Sequence, residues 1–149
     1  MQRGARTFKR FTFLDNRCLY LKHCLRLCLY LIEASGCRDS LGMASGAIPD
    51  ERISASSKMD NNRAATLGRL HLVPSDRKKG SWVAATQDAN QWLQVDLGSI
   101  YNRVTGVATQ GRNDYPRWVT KYKLQYGNDG ASFQYYRQRG QHTDKVQWF

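Results

Sequence analysis

The chain holds few residue combinations that could support catalysis. His23, His71 and His142 are its three histidines, and none has a serine, cysteine or carboxylate at the spacing of a known catalytic motif. The sequence contains neither an HExxH nor a GxSxG pattern, and it has no glycine-rich loop that would cradle a phosphate. We therefore predict that the chain is not an enzyme.

The four cysteines all lie in the first quarter of the chain. Cys18, Cys24 and Cys28 surround His23, but their spacing is irregular, their setting is apolar and no CxxC pattern is present, which argues against a zinc site. The sequence also has no dense cluster of carboxylates of the kind that forms a calcium site. The sequence therefore predicts neither a metal ion nor another cofactor.

A basic excess is the clearest feature of the composition. The net charge is +11, with 23 Lys and Arg against 12 Asp and Glu. Such an excess favours polyanionic partners, namely acidic lipid head groups, sulfated glycans or nucleic acid. Arg77, Lys78 and Lys79 form a compact basic cluster, which is interpreted either as a contact for sulfated glycans or phosphate groups or, more commonly for such runs, as a solvated turn.

Residues 1–36 differ from the remainder of the chain. They contain seven Lys or Arg and two Asp or Glu, and a short apolar block at residues 27–32 precedes Ala34-Ser35-Gly36. A small-x-small pattern after an apolar block is typical of a secretory signal peptide, but Arg26 adjoins the block and the block is short. A signal peptide and a non-domain extension both remain open interpretations of this segment.

From Cys37 onward the sequence has the alternation of β-strands. In residues 92–98, Leu93, Val95 and Leu97 share one face, while Gln94 and Asp96 point the other way. Further strands are predicted at residues 103–109, 118–126 and 132–137, with a turn at residues 128–130. Short strands separated by turns favour an antiparallel sandwich or barrel, in which Trp82 and Trp92 are expected to fill the core.

A series of short motifs follows one another at characteristic distances. They are LGM at residues 41–43, SGAIPD at 45–50, ISASS at 53–57, WLQVDLG at 92–98, VTGVATQGR at 104–112 and WVTKYKLQY at 118–126. This order and spacing resemble the discoidin family, also called coagulation factor V/VIII type C domains. The resemblance implies an all-β fold, an antiparallel β-sandwich of jelly-roll (galactose-binding-like) type, over residues 37–149. It also implies that the protein is secreted or lies on the cell surface.

The resemblance also raises an expectation about the closure of the domain. The opening cysteine of such domains usually bonds to one that closes the domain, and Cys37 has no such partner in the sequence. The sequence stops at Phe149, before the last strands of the family. We therefore expect a partial domain that lacks its last strands.

The family binds ligands through loops at one end of the sandwich, and two matching loops are found in this sequence. We call residues 58–63 loop 1 and residues 112–118 loop 2. Apolar tips would enter a bilayer surface while cations meet anionic head groups, and aromatic side chains suit a lipid interface or a sugar face. The expected ligand-binding residues are Lys58, Met59, Asn61, Asn62 and Arg63 in loop 1, and Arg112, Asp114, Tyr115, Arg117 and Trp118 in loop 2.

Three functional hypotheses follow. The first is an extracellular cell-adhesion or matrix-binding module that recognises phospholipid head groups, glycans or a protein receptor, with peripheral membrane contact. The alternative is a carbohydrate-targeting accessory domain of a larger secreted enzyme. A nucleic-acid binder ranks last, because the aromatic and basic residues form no single recognisable face.

Overall fold

The structure, a computed structural model, describes residues 8–13, 24–31, 40–98, 104–112, 114–137 and 146–148. This part of the chain is mostly strand, with a few 3-10 turns, which agrees with the prediction of an all-β protein. The turns are Asp50–Arg52, Asn61–Arg63 and Ala65–Leu67. The strands are β1 (Phe8–Phe13), β2 (Cys24–Leu31), β3 (Ile53–Ala55), β4 (Trp82–Val83), β5 (Trp92–Asp96), β6 (Val104–Gln110), β7 (Lys121–Gly127), β8 (Gln134–Tyr135) and β9 (Val146–Trp148).

The described strands form two antiparallel sheets. The larger sheet has the order β3-β5-β1-β7-β8, and β9 also pairs with β7. The smaller sheet has the order β4-β2-β6. Side chains from both sheets share one core, in which Trp82 of the smaller sheet joins Leu93 and Val95 of the larger one.

The strand pattern seen in the sequence around β5 has a direct structural counterpart. Leu93 and Val95 are fully buried and Leu97 is nearly so, as their alternation predicts. Gln94 is buried as well, because β5 lies inside the sheet between β3 and β1. Trp82 fills the core as expected, whereas the same prediction for Trp92 is wrong, since Trp92 opens β5 at the margin of the core and is only half-buried.

The second half of the predicted strand series ends in a hairpin between β7 and β8. Gln125 pairs with Tyr135 and Tyr126 with Gln134. The side chain of Asp129 accepts hydrogen bonds from the backbone N–H groups of Ser132 (2.7 Å) and Ala131 (2.9 Å). These bonds lower the pKa of Asp129, and they hold the turn that the Asn-Asp-Gly sequence predicts.

Arg69 holds the segment that opens the domain. Its guanidinium donates to the carbonyl oxygens of Met43 (3.1 Å) and Ile48 (2.7 Å) and forms an ion pair with Asp50 (2.5 Å). Gly42, at the start of this segment, has φ +105°, and a β-carbon there would lie 2.6 Å from that of Ala47. The SGAIPD motif is thus wrapped around a nearly buried arginine.

Candidate functional site

Loop 1 leaves the end of β3 and is fixed to the smaller sheet at its base. Trp82 Nε1 donates a hydrogen bond to the carbonyl oxygen of Ser57 (2.8 Å), and the N–H of Met59 donates to the carbonyl oxygen of Val83 (2.9 Å). Met59 is half-buried rather than fully exposed, and its role as an apolar tip stays a prediction. The backbone bond to β4 explains the difference, because it draws the residue toward the sheet.

The tip of loop 1 is polar and carries its own counter-ion. Asn61, Asn62 and Arg63 form a 3-10 turn, in which both asparagines are exposed. Arg63 is half-buried and forms an ion pair with Asp60, three residues earlier. The charge of Arg63 is therefore largely compensated, whereas Lys58 is exposed.

Loop 2 folds back on itself between β6 and β7. The N–H of Arg112 donates to the carbonyl oxygen of Arg117 (2.8 Å), and the N–H of Arg117 donates to that of Tyr115 (2.7 Å). A β-carbon on Gly111 would lie 3.0 Å from Cβ of Trp118 and 3.1 Å from the carbonyl oxygen of Arg117. Glycine at position 111 therefore lets the two ends of the loop approach closely.

The centre of loop 2 is an aromatic ring flanked by two cations. The guanidinium carbon of Arg117 lies 4.6 Å from the centroid of the Tyr115 ring, and that of Arg112 lies 5.9 Å from it. Tyr115 is 51% exposed and Trp118 is 42% exposed. Loop 2 thus presents two aromatic side chains to solvent, with cationic groups against one of them.

Arg112 has a second partner in the acidic residue of the same loop. Its Nη2 donates to Oδ2 of Asp114 (2.6 Å), and its Nε donates to the other carboxylate oxygen. This hydrogen bonding is the main cause that lowers the pKa of Asp114, and the charges of Arg112 and Lys79 lower it further. The loop therefore carries its own ion pair, as loop 1 does.

A third segment lies beside the two predicted loops. The N–H of Lys79 donates to the carbonyl oxygen of Asn62 in loop 1 (3.0 Å), and the Lys79 charge acts on Asp114 in loop 2. The N–H of His71 donates to Oε1 of Gln110 (3.3 Å), which ends the strand that leads to loop 2. Residues 71–79 are thus linked to loop 1 and, through Gln110 and the charge of Lys79, to loop 2, and we call these three segments the binding end.

Residues 75–79 form a tight turn that exposes cations. Ser75 and Lys78 exchange backbone hydrogen bonds (2.8 and 3.2 Å), and Arg77 and Lys78 are exposed. In the part of the chain that the structure describes, neither of these two side chains has a carboxylate partner. Val73, two residues before the turn, is 76% exposed. We call residues 75–79 the basic turn.

The exposed cations of the structure therefore differ from those that the sequence predicted for the site. Of the predicted cations, Arg63 and Arg112 are paired with carboxylates, and Arg117 lies against a tyrosine ring. Among the described residues of the binding end, the exposed cations without a carboxylate partner are Lys58 in loop 1 and, in the basic turn, Arg77 and Lys78. The sequence showed the basic turn as a cluster but did not place it beside loops 1 and 2. Asn113 and Cys37 lie outside the described residues, so the predicted role of Cys37 in a disulfide stays a prediction.

The described residues contain no group of three or more His, Cys, Asp or Glu side chains arranged to hold a metal ion. Within the same ranges, no helix has the length and apolar character needed to cross a membrane.

Comparison with known proteins gives the family of the chain. The model of the F5/8 type C domain matches residues 52–149, and the chain belongs to this family, which confirms the predicted resemblance. No solved structure matches significantly.

Three relatives illustrate the similarity. The chain is 39% identical over 131 residues to human EGF-like repeat and discoidin I-like domain-containing protein 3, covering 84% of this chain and 27% of the relative. It is 37% identical over 130 residues to lactadherin of Sus scrofa (82% and 31%) and 34% identical over 133 residues to coagulation factor V of Bos taurus (85% and 6%). The chain thus spans less than a third of each relative.

Proposed function

We propose that this chain is a non-enzymatic, extracellular binding module that attaches to an anionic ligand on a cell surface or in the matrix. The ligand contacts the binding end, and anionic phospholipid head groups are the ligand that the site favours. Membership of the F5/8 type C family supports the proposal of a binding domain. Lactadherin and coagulation factor V, two of the similar proteins, support the extracellular location. Glycans and a protein receptor are the other ligand classes to be tested.

The observation that carries this proposal is the arrangement of apolar and cationic groups at one end of the fold. Tyr115 and Trp118 are exposed in loop 2, and the basic turn beside it exposes Arg77 and Lys78. An aromatic ring with a polar edge suits the boundary between head groups and acyl chains. Cations next to it meet the negative surface potential, each contributing about 1 kcal/mol near an anionic membrane.

The two loops have different roles in this proposal. Loop 1 has no exposed apolar side chain among its described residues, and its exposed groups are Lys58, Asn61 and Asn62. These groups donate hydrogen bonds to phosphate or sugar oxygens, whereas loop 2 supplies the aromatic contact. Loop 1 therefore contributes to the choice of head group rather than to insertion. No specific observation favours the alternative of a carbohydrate-targeting accessory domain.

The test is binding to vesicles of phosphatidylserine and phosphatidylcholine, with vesicles of phosphatidylcholine alone as the reference. Tyr115→Ser removes the aromatic tip and is expected to raise the apparent Kd about tenfold, the equivalent of about 1.4 kcal/mol. Tyr136→Ser is the matched control, because Tyr136 is a similarly exposed tyrosine that follows β8. The control is expected to bind as the parent does.

Further measurements distinguish phospholipid from the other ligand classes. Lys78→Glu is expected to weaken vesicle binding and to make its remaining salt dependence shallower. Retention on immobilised heparin without vesicle binding would move the ligand class to sulfated glycans. Equal binding of Tyr115→Ser, Lys78→Glu and the parent on every anionic surface would refute the binding end as the site.

A further inference from the structure

The two N-terminal strands lie inside the sheets rather than at their edges. Strand β1 pairs with β5 on one side and with β7 on the other. Strand β2 pairs with β4 on one side and with β6 on the other. Residues 8–13 and 24–31, which follow the basic start of the chain, therefore supply an internal strand to each sheet.

The position of β1 links the two halves of the larger sheet. Its register places Lys9 opposite Val95 of β5 and opposite Tyr126 of β7. Leu93 and Val95 are fully buried, so the backbone groups that β5 directs toward β1 have no access to water. Buried backbone N–H and C=O groups are almost always paired, and β1 supplies their partners. Removing β1 would leave β5 and β7 with unpaired edges in the middle of the sheet.

The position of β2 links the strands that carry the binding end. In the described pairings, β2 is the partner of both β4 and β6. Strand β4 contains Trp82 and Val83, whose hydrogen bonds fix the base of loop 1. Strand β6 ends at Gln110, directly before the glycine that begins the fold of loop 2. The separation of loops 1 and 2 is thus set across β2.

Similarity to known proteins reaches part of the same segment. The matches to three relatives cover 82–85% of this chain, which is more than residues 37–149 alone can supply. The similarity therefore extends before Cys37 far enough to include residues of β2, although it need not reach β1. A segment unrelated to the domain would not be expected to align with it.

We propose that β1 and β2 remain in the mature protein as donor strands that complete both sheets, with β2 holding loops 1 and 2 at a fixed separation. The insertion of the strands stands independently of the function proposed above, and only the role in spacing the loops rests on it. A leader removed before Cys37 could not fill these positions, so the proposal replaces the signal-peptide interpretation of this segment.

Disulfide trapping in the full chain tests the register. Ala108→Cys places a cysteine opposite the natural Cys28 of β2, and the double variant Arg10→Cys, Gln125→Cys tests β1. Residues directly opposite in an antiparallel pair have Cα atoms about 4.5–5.5 Å apart, within reach of a disulfide. The matched controls are Val104→Cys, and Arg10→Cys with Lys121→Cys, each displaced by four residues, or about 13 Å along the strand.

Peptide mapping under non-reducing conditions identifies the bonds that form. The in-register variants are expected to give the predicted links in at least tenfold higher yield than their controls. Equal yields, or no link in either in-register variant, would overturn the proposal. Since no ligand takes part, this result does not depend on whether the binding end has been assigned correctly.

The N-terminus of the mature protein provides a second measurement. When the full chain is expressed in eukaryotic cells, the intact mass and N-terminal sequence of the folded protein, recovered from medium or cell extract, are expected to show that β1 and β2 are retained. A mature chain that begins at or near Cys37 and is folded would overturn the proposal.

Discussion

The indole Nε1 of Trp82 donates a hydrogen bond to the carbonyl oxygen of Ser57 across 2.8 Å, which joins a fully buried core residue to the base of loop 1. The side chain of Ser57 is also hydrogen-bonded: its Oγ donates to Oε1 of Gln91 (2.5 Å) and accepts a hydrogen bond from the N–H of Ala85 (3.0 Å). The indole bond of Trp82 and the backbone bond between Met59 and Val83 therefore both connect the core to the binding end.

Replacing Trp82 by phenylalanine tests this connection. The substitution removes the hydrogen bond and leaves a cavity, so we expect a loss of about 2–4 kcal/mol in the free energy of unfolding. Denaturant titration measures the loss. Trp118→Phe, in which an exposed tryptophan is changed, is expected to alter stability by less than about 0.5 kcal/mol. Equal stability of Trp82→Phe and the parent would show that the junction contributes little.

Arg69→Met tests the clamp on the opening segment. The substitution keeps much of the apolar stem but leaves the carbonyl oxygens of Met43 and Ile48 without their donor, so we expect a loss of about 2–4 kcal/mol in thermal or chemical unfolding. Arg77→Met changes an exposed arginine of the basic turn and is expected to leave stability nearly unchanged. A comparable loss in both variants would argue for a general effect of charge instead.

Asp114→Asn is expected to strengthen binding to anionic vesicles. The change releases Arg112 from its carboxylate and raises the net charge of loop 2, so the apparent Kd should fall about two- to fivefold at low ionic strength and less at high salt. Glu51→Gln makes the same change in charge at the other end of β3, away from loop 1. A similar gain in the Glu51 variant would indicate attraction by net charge alone.

The stability of the protein is expected to fall in alkaline solution partly because of Tyr122. Burial raises the pKa of its phenol, and a hydrogen bond with Thr109 opposes part of this effect. The unfolded chain releases the proton near pH 10, before the folded chain does. The contribution of Tyr122 is therefore complete below about pH 10 and is lost as the pH rises toward the higher folded pKa.

The variant Tyr122→Phe isolates this contribution. Its loss in unfolding free energy relative to the parent, about 1 kcal/mol at neutral pH for the hydrogen bond, is expected to shrink as the pH rises above about 10. Urea titrations at several pH values measure the difference. Tyr136→Phe serves as the exposed control. A difference for Tyr122→Phe that stays constant as the pH rises would contradict the assigned cause.

The sequence predicted the strands in which buried apolar residues alternate with polar ones. Leu93 and Val95 alternate with polar residues in β5, and the predictions for β6 and β7 differ from the structure by only a few residues. Strand β4 was missed because two residues carry no periodic signal. In β2, Leu25, Leu27, Leu29 and Leu31 occupy alternate positions, but the basic start and the small residues that follow directed the interpretation to a signal peptide or a non-domain extension.

The role of loops 1 and 2 in binding stays a prediction, but the structure shows how their charges are paired. Arg63 and Arg112 are paired with Asp60 and Asp114 at separations of three and two residues. Such short-range pairs depend on the conformation of a loop, which residue spacing alone does not determine. The basic turn joins the binding end through contacts distant in sequence, such as that between Lys79 and Asn62, and no local pattern could show them.

The ring of Tyr115 between two arginines has a consequence for the energetics of attachment. Backbone hydrogen bonds within loop 2 and the cations against the ring already restrict this tip in the unbound protein. Immobilising a mobile side chain on association costs about 0.5–1.5 kcal/mol, and a tip that is ordered beforehand avoids much of that loss. A small contact area can then give useful affinity, and a docked molecule would keep nearly the same loop geometry as a free one.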